Sequence, residues 1–223
     1  DQVSQDVAIN NMPAVFNVFF GSVYGTTDQT HLGFFDISML TGIPRLNFLA
    51  PTCREEYLAM LDWAIAQTAQ PVVVRVPGGA VKSDPSREIL ADYSKPVYEI
   101  ARKGSRVALI GAGTFFSNMS EAADILAAEG IDATLINPRG LSTLDTATLD
   151  SLADYDIVIT AEDGTADGGF GQRVAAYLSP KGTRVRVLGL PKDFPNGFKA
   201  QDMLTACHLQ PAQIATIARE AMK

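Results

Sequence analysis

The residues best suited to chemistry lie in one stretch, Gly25-Thr26-Thr27-Asp28-Gln29-Thr30-His31-Leu32-Gly33. It is bounded by glycine, carries hydroxyls, a carboxylate and an imidazole, and holds one of the 2 histidines of the chain. As a residue type, histidine can take a proton in one step and return it in another near neutral pH. The stretch follows the apolar run Ala14–Phe20, which reads as a central parallel strand buried on both faces. A polar loop beyond a strand end is where open α/β sheets place their ligands. A lone histidine also has a plainer reading, as a hydrogen-bonded structural residue, and spacing alone leaves both open.

Other groups carry weaker signals. Gly111-Ala112-Gly113-Thr114-Phe115-Phe116 follows an apolar strand and opens a helix, but Phe116 stands where a dinucleotide fingerprint needs its third glycine. The next strand ends at Asn137, without an acid to hold a ribose, so a tight strand-to-helix turn is the better reading. Glu162-Asp163-Gly164 and Asp167 to Gly171 read as a flexible, negative loop, solvated in the plainest reading and structural rather than catalytic, without EF-hand spacing. Cys53 and Cys207 have no CxxC partner and read as free thiols. Cys53 and His31 lack a third member for a nucleophilic triad, and nothing near His208 orients it.

The elements that position these groups alternate between periods of two and 3.6. Residues 2–11 suggest a short amphipathic helix, 34–41 another, and Leu46–Ala50 a strand stopped by Pro51. Thr52-Cys53-Arg54-Glu55 reads as a capping box opening a helix with Tyr57, Leu58, Leu61 and Ile65 on its inner face. Pro71 introduces the strand Val72–Val76, which completes a right-handed parallel unit. Residues 81–104 lose periodicity and read as a linker. From Ser105 the pattern resumes: strands at 106–111, 134–136, 156–160 and 183–188, with helices at 116–129, 145–152, 171–178 and 211–222. The fold class is therefore α/β, with two domains, each a mostly parallel sheet flanked by helices: residues 1–80 and 105–223.

Composition narrows the partners. A formal charge of −7 and a pI near 4.8 argue against nucleic acid and anionic membranes, both of which select basic faces. No apolar run reaches the ~18 residues of a membrane span, and no secretion signal opens the sequence, so a cytoplasmic location is expected. Asp1 leads directly into a helical pattern, as in a chain cut inside a domain.

Asp28-Gln29-Thr30-His31-Leu32-Gly33-Phe34-Phe35-Asp36 resembles the D-G-Q-T-H-x-G-x-F-D segment of the 1-deoxy-D-xylulose-5-phosphate synthase and transketolase family. The likeness continues in order through Ile43-Pro44, Ala50-Pro51, Arg75-Val76-Pro77, Asn137-Pro138-Arg139, Leu144-Asp145, Gly168-Gly169 and Gly189-Leu190-Pro191. It implies the end of a pyrimidine-binding domain followed by a transketolase C-terminal domain, within a thiamine-diphosphate-dependent transferase. It implies a homodimer, a remaining N-terminal part of the same enzyme, and small-molecule substrates. Thiamine diphosphate and magnesium would be held mainly by residues upstream of Asp1. His31 takes the position of the family's catalytic histidine, with Thr27 and Asp28 at the substrate-binding positions.

The departures from the pattern bear on the substrate. The family's aspartate four residues before the histidine is replaced by Thr27, with Asp28 one place later. Two arginines that grip the phosphate of the aldehyde acceptor correspond to Phe20 and Gly78. Each lost charge-assisted contact is worth ~1.5–3 kcal/mol, so tight binding of glyceraldehyde 3-phosphate is not expected.

Overall fold

The computed structural model describes residues 1–76 and 81–222; Gly78 lies outside them. The first 76 residues build strands β1 (Val15–Val18), β2 (Asn47–Leu49) and β3 (Val72–Arg75), with helices α1 (Asp36–Leu40) and α2 (Arg54–Ala66). A π-type helical turn, Val3–Ala8, precedes them. The three strands are parallel in the order β1-β3-β2, with Val15 and Asn47 both opposite Val72. Within this chain the first strand, expected to be central, instead stands at one side of the sheet. β3 is central and fully buried, whereas β1 is a half-buried edge. Its apolar run has another cause: both faces are covered. Val15 packs with α2, and Phe16 and Val18 pack on the opposite side.

Strand periodicity directs β3 in the same way. Val72 and Val74 face α2, while Val73 joins a core shared with the second sheet. Arg75, two residues on, points to that same side. This alternation sends a cation from the first sheet toward the second.

α2 differs from expectation at its start and on its face. Cys53 is the N-cap and makes no side-chain cap bond. Thr52 instead donates both its amide and its hydroxyl to Glu56 Oε2, at 2.8 and 2.6 Å, while Glu55 turns away to Ser83 and Asp84. Glu56, Met60 and Ala64 form the buried stripe, leaving Leu58 46% and Ile65 66% exposed. A buried glutamate is admitted because Asn137 donates to its Oε1 at 2.8 Å and the Arg139 guanidinium lies beside it.

The second sheet has the order β4-β6-β5-β7-β8, from β4 (Glu99–Arg102), β5 (Val107–Gly111), β6 (Ala133–Asn137), β7 (Ile157–Thr165) and β8 (Val185–Leu190). β4 falls within the stretch expected as linker and pairs antiparallel with β6; the other pairs are parallel. Helices α3 (Phe115–Ala128) and α7 (Pro211–Ala221) cover one face, with Met119, Leu126, Ile214 and Ala218 inward. Helices α4 (Thr146–Asp150) and α5 (Phe170–Leu178) cover the other, through Leu149, Phe170, Val174 and Leu178. That second face is continuous with Phe48 and Val73 of the first sheet. α6 (Ala200–Ala206) follows an irregular segment after Pro191.

The expected solvated loop after residue 160 is corrected as well. β7 runs on to Thr165, so Glu162 and Asp163 are strand residues, 1% and 0% exposed. Their charges find partners inside the protein, and this permits their burial.

Candidate active site

Asp28, Thr30 and His31 form a short polar relay in the loop between β1 and α1. Asp28 caps a 3-10 turn, Gln29–His31, and its Oδ1 accepts from the Thr30 amide at 2.9 Å and the Thr30 hydroxyl at 2.7 Å. Those two bonds, the amide first, hold the Asp28 carboxyl below the usual carboxylate range. Thr30 Oγ1 also lies 2.7 Å from His31 Nδ1. A hydroxyl has one proton, and here it is committed to Asp28. The imidazole is then the donor at Nδ1, and in the neutral ring this places the lone pair on Nε2. Thr26 Oγ1 donates to the His31 carbonyl and fixes the backbone.

The loop is closed at its base by Phe20. Phe20 adopts φ +57°, a left-handed conformation uncommon for a bulky residue. Its carbonyl sits so close to Gly33 that a Cβ there would be 1.7 Å from the oxygen. Gly33 is therefore required for the loop's two arms to meet. The rings of Phe19 and Phe20 remain 63% and 55% exposed. No lysine or arginine occurs before Arg45 in the sequence, so the loop offers carboxylate, hydroxyl, imidazole and aromatic groups without a cation of its own.

Of the residues singled out from sequence, His31 and Asp28 are brought together and exposed. Thr27 flanks them, but its carbonyl is used structurally, accepting from the Gly197 amide at 3.0 Å. The His208 ring lies 3.5 Å from Gln213 Nε2 through Nδ1, and its amide donates to the Thr205 carbonyl at 3.2 Å. Cys53 is buried, its thiol pushed up chiefly by desolvation, and its neighbour is the Asp84 carbonyl at 3.7 Å.

A second cluster was missed because its members are far apart in sequence. Arg75 is 3% exposed and bonds Asp36 through Nε at 2.6 Å and Asp163 through Nη1. Thr114 Oγ1 donates to the other Asp163 oxygen at 3.3 Å. Burial opposes the guanidinium's charge, but Asp163 and Asp36 outweigh it and raise its pKa above the ordinary arginine value. Glu162 lies beside this group and accepts from the amides of Gly171 at 2.8 Å and Phe170 at 3.0 Å, at the start of α5. Its pKa is pushed up to about 7, principally by burial. The cluster occupies the ends of β5 and β7, whose following helices lie on opposite faces of the sheet. This is the switch point where such sheets ordinarily take a ligand. Gly113 of the Gly111–Gly113 turn faces the first sheet there, where a Cβ would stand 3.6 Å from Ala50 Cβ and 3.9 Å from Arg75 Nη1. The signal available in sequence was the place of Arg75 on the Val73 side of its strand.

Beside the cluster lies a cleft of about 640 Å³, reached by Tyr24, Thr52, Thr114 and Asn118. It does not include His31. Among the described residues no group of three His, Cys, Asp or Glu is placed to hold a metal ion. Nor is any helix among them long and apolar enough to cross a membrane.

Comparison with known proteins identifies the family of both domains. Residues 1–83 match the model of the transketolase pyrimidine binding domain, and residues 97–214 that of the transketolase C-terminal domain. The chain is 34% identical over 223 residues to 1-deoxy-D-xylulose-5-phosphate synthase of Chlorobium luteolum, covering 99% of this chain and 35% of that protein. It is 31% identical over 227 residues to the synthase of Clostridium tetani, covering 100% and 36%. The chain thus spans about a third of the length of these relatives. Among solved structures, the inactive β4 tetramer of a split-gene transketolase aligns with a TM-score of 0.83 at 20% identity, over 99% of this chain and 70% of that one. A transketolase mutant from Pichia stipitis aligns at 0.76 and 16% identity, over 96% and 31%.

Proposed function

The chain belongs to the transketolase family, and from that premise we infer that it is the C-terminal part of a thiamine-diphosphate-dependent transferase resembling 1-deoxy-D-xylulose-5-phosphate synthase. In this reading the intact protein condenses a 2-oxo acid such as pyruvate with an aldehyde, releasing carbon dioxide. The cofactor, when bound, supplies the carbanion chemistry, and it and magnesium are held by the remainder of the protein. The homodimer of the family and a cytoplasmic location belong to the same reading.

The observation that carries it is the relay from Asp28 through Thr30 to His31. The relay fixes one tautomer and presents Nε2 outward, where it can take a proton from a substrate hydroxyl or return one. Asp28 Oδ2 and the Thr27 side chain are the neighbouring groups for substrate hydroxyls. The acceptor in this reading is not a phosphate ester. The loop has no cation, Asp28 adds negative charge, and Arg75 is already held by two aspartates. Two exposed phenylalanines stand instead at its base.

A second reading, a transketolase-like module that has kept its contacts and lost catalysis, is favoured by one observation. The Thr27 carbonyl and Gln29 are engaged in holding the loop to the rest of the fold. The split-gene neighbour, an inactive tetramer, is a precedent for this fold standing as a separate chain. Calorimetric titration of thiamine diphosphate with magnesium separates the readings. Micromolar binding by the intact gene product, beside none by the 223-residue chain, supports the enzyme. No binding by either supports the module.

A further inference from the structure

The His31 loop is gripped from the second domain, by the segment between β8 and α6. Three hydrogen bonds join them. The Gly197 amide donates to the Thr27 carbonyl at 3.0 Å, the Gln29 amide to Asn196 Oδ1 at 3.3 Å, and Gln29 Nε2 to the Phe194 carbonyl at 3.1 Å. Two ring contacts extend the grip past the histidine: Phe194 meets Phe35 with centroids 5.4 Å apart, and Phe198 meets Phe34 at 6.5 Å. The bonded residues, Thr27 and Gln29, stand on either side of Asp28, where the relay begins. Gly197 has φ +66°, a conformation that costs glycine little and turns its amide toward the loop.

We propose that Asn196 and Phe194 are positioning residues for His31, so that the C-terminal domain sets the geometry of the proton-handling group in its neighbour. The proposal deepens the transferase reading and rests on it for its catalytic consequence. The mechanical part stands separately. Neither residue bonds the imidazole; Asn196 holds the Gln29 backbone amide, and Phe194 holds the Gln29 side chain through its carbonyl and Phe35 through its ring. Asp28 and Thr26 hold the turn locally; the grip sets where that turn stands, and its loss is expected to loosen the Thr30 Oγ1 bridge that favours the Nδ1–H tautomer. The demand on Asn196 is specific, because only its acceptor oxygen is used. Aspartate keeps that acceptor and alanine does not.

The first test reads the tautomer directly, by ¹⁵N long-range NMR of the neutral imidazole. The 223-residue chain contains 2 histidines, so His208→Asn leaves one signal to follow. The expected result is a single Nδ1–H form, turning to a mixture dominated by Nε2–H in Asn196→Ala and in Phe194→Ala, and restored in Asn196→Asp. Both side chains are on the surface, and an unchanged far-UV spectrum checks that the variants fold. An unaltered tautomer in both alanine variants overturns the proposal, whatever the activity. In the intact enzyme, Asn196→Ala is expected to lower kcat at least about tenfold with KM within about twofold, since a misplacement near 1 Å costs up to ~100-fold. A rise in KM at constant kcat overturns the catalytic consequence. If the tautomer shifts but the wild type turns over no 2-oxo acid, the grip stands and the transferase reading falls.

Discussion

Replacing Glu162 by glutamine should remove a pH dependence of stability expected of the wild-type chain near neutrality. Glu162, Asp163 and Asp36 gather around one guanidinium, and Glu162 is the member that makes no bond to it. Its carboxyl is raised from 4.5 to about 7, with burial as the largest cause, against the opposing pull of two amides and Arg75. A carboxyl that binds its proton more tightly when folded stabilises the fold below its unfolded pKa. That advantage is lost as pH rises through the folded value. Stability should therefore fall between pH 4.5 and 7 and level off above. Each pH unit is worth ~1.4 kcal/mol, and solubility near the pI of 4.8 sets a practical lower arm at about pH 5.5, so the accessible loss is ~2 kcal/mol. Glutamine cannot titrate. It also offers only one acceptor oxygen to the two amides, which lowers its stability by ~1–3 kcal/mol at every pH. The informative quantity is thus the change in the gap between variant and wild type. Urea unfolding followed by far-UV circular dichroism at about pH 5.5 and 8.5 should show that gap moving by ~2 kcal/mol in favour of glutamine at the higher pH. Parallel curves would refute the reasoning, for they would mean that Arg75 and the amides of α5 keep Glu162 ionised throughout.

Three further outcomes follow from particular contacts. Arg75→Met leaves Asp36 and Asp163 buried without their cation and should cost ~3–5 kcal/mol in the same unfolding assay, with part regained in Arg75→Met/Asp163→Asn; a loss below ~1 kcal/mol would contradict the buried triad. Gly33→Ala places a methyl 1.7 Å from the Phe20 carbonyl, so amide NMR shifts should change throughout residues 20–33 while far-UV dichroism stays the same. Thr30→Val keeps the shape and removes the bridging hydroxyl. In the intact enzyme kcat should then fall at least about tenfold, part of the ~100-fold or more that acid–base catalysis contributes. Unchanged turnover would remove Thr30 from the relay.

Much of this architecture can be read along the chain, because apolar periodicity reports which faces are covered. The helix Phe115–Ala128 and its glycine stop at Gly130, with φ +79°, lie where the pattern puts them. So does the final helix, packed on Ile214 and Ala218. Periodicity does not report position within a sheet. The run Ala14–Phe20 looks central because both its faces are apolar, yet it forms an edge beside β3. Nor does it reveal where a charge finds its partner. Asp163 looks solvated until Arg75, 88 residues away, reaches it across the two sheets, and Glu162 until the amides of α5 bond its carboxyl. The capping box failed for a similar reason: Glu56, rather than Glu55, turned back to Thr52 because Asn137 and Arg139 hold it inside. At the candidate site, residue types and order pointed to His31 and Asp28. The role of Thr30 as the bridge needed distances, and the grip of Asn196 on Gln29 joins residues 167 apart.

The most direct test of the transferase reading is release of carbon dioxide from a 2-oxo acid by the intact protein with thiamine diphosphate and magnesium. It should be run with unphosphorylated aldehydes, with glyceraldehyde 3-phosphate, and with His31→Asn alongside. The expected result is release by the wild type that unphosphorylated aldehydes increase and the phosphate ester does not, and that His31→Asn lowers by at least about tenfold. No release from any 2-oxo acid, or release indifferent to His31, would contradict it.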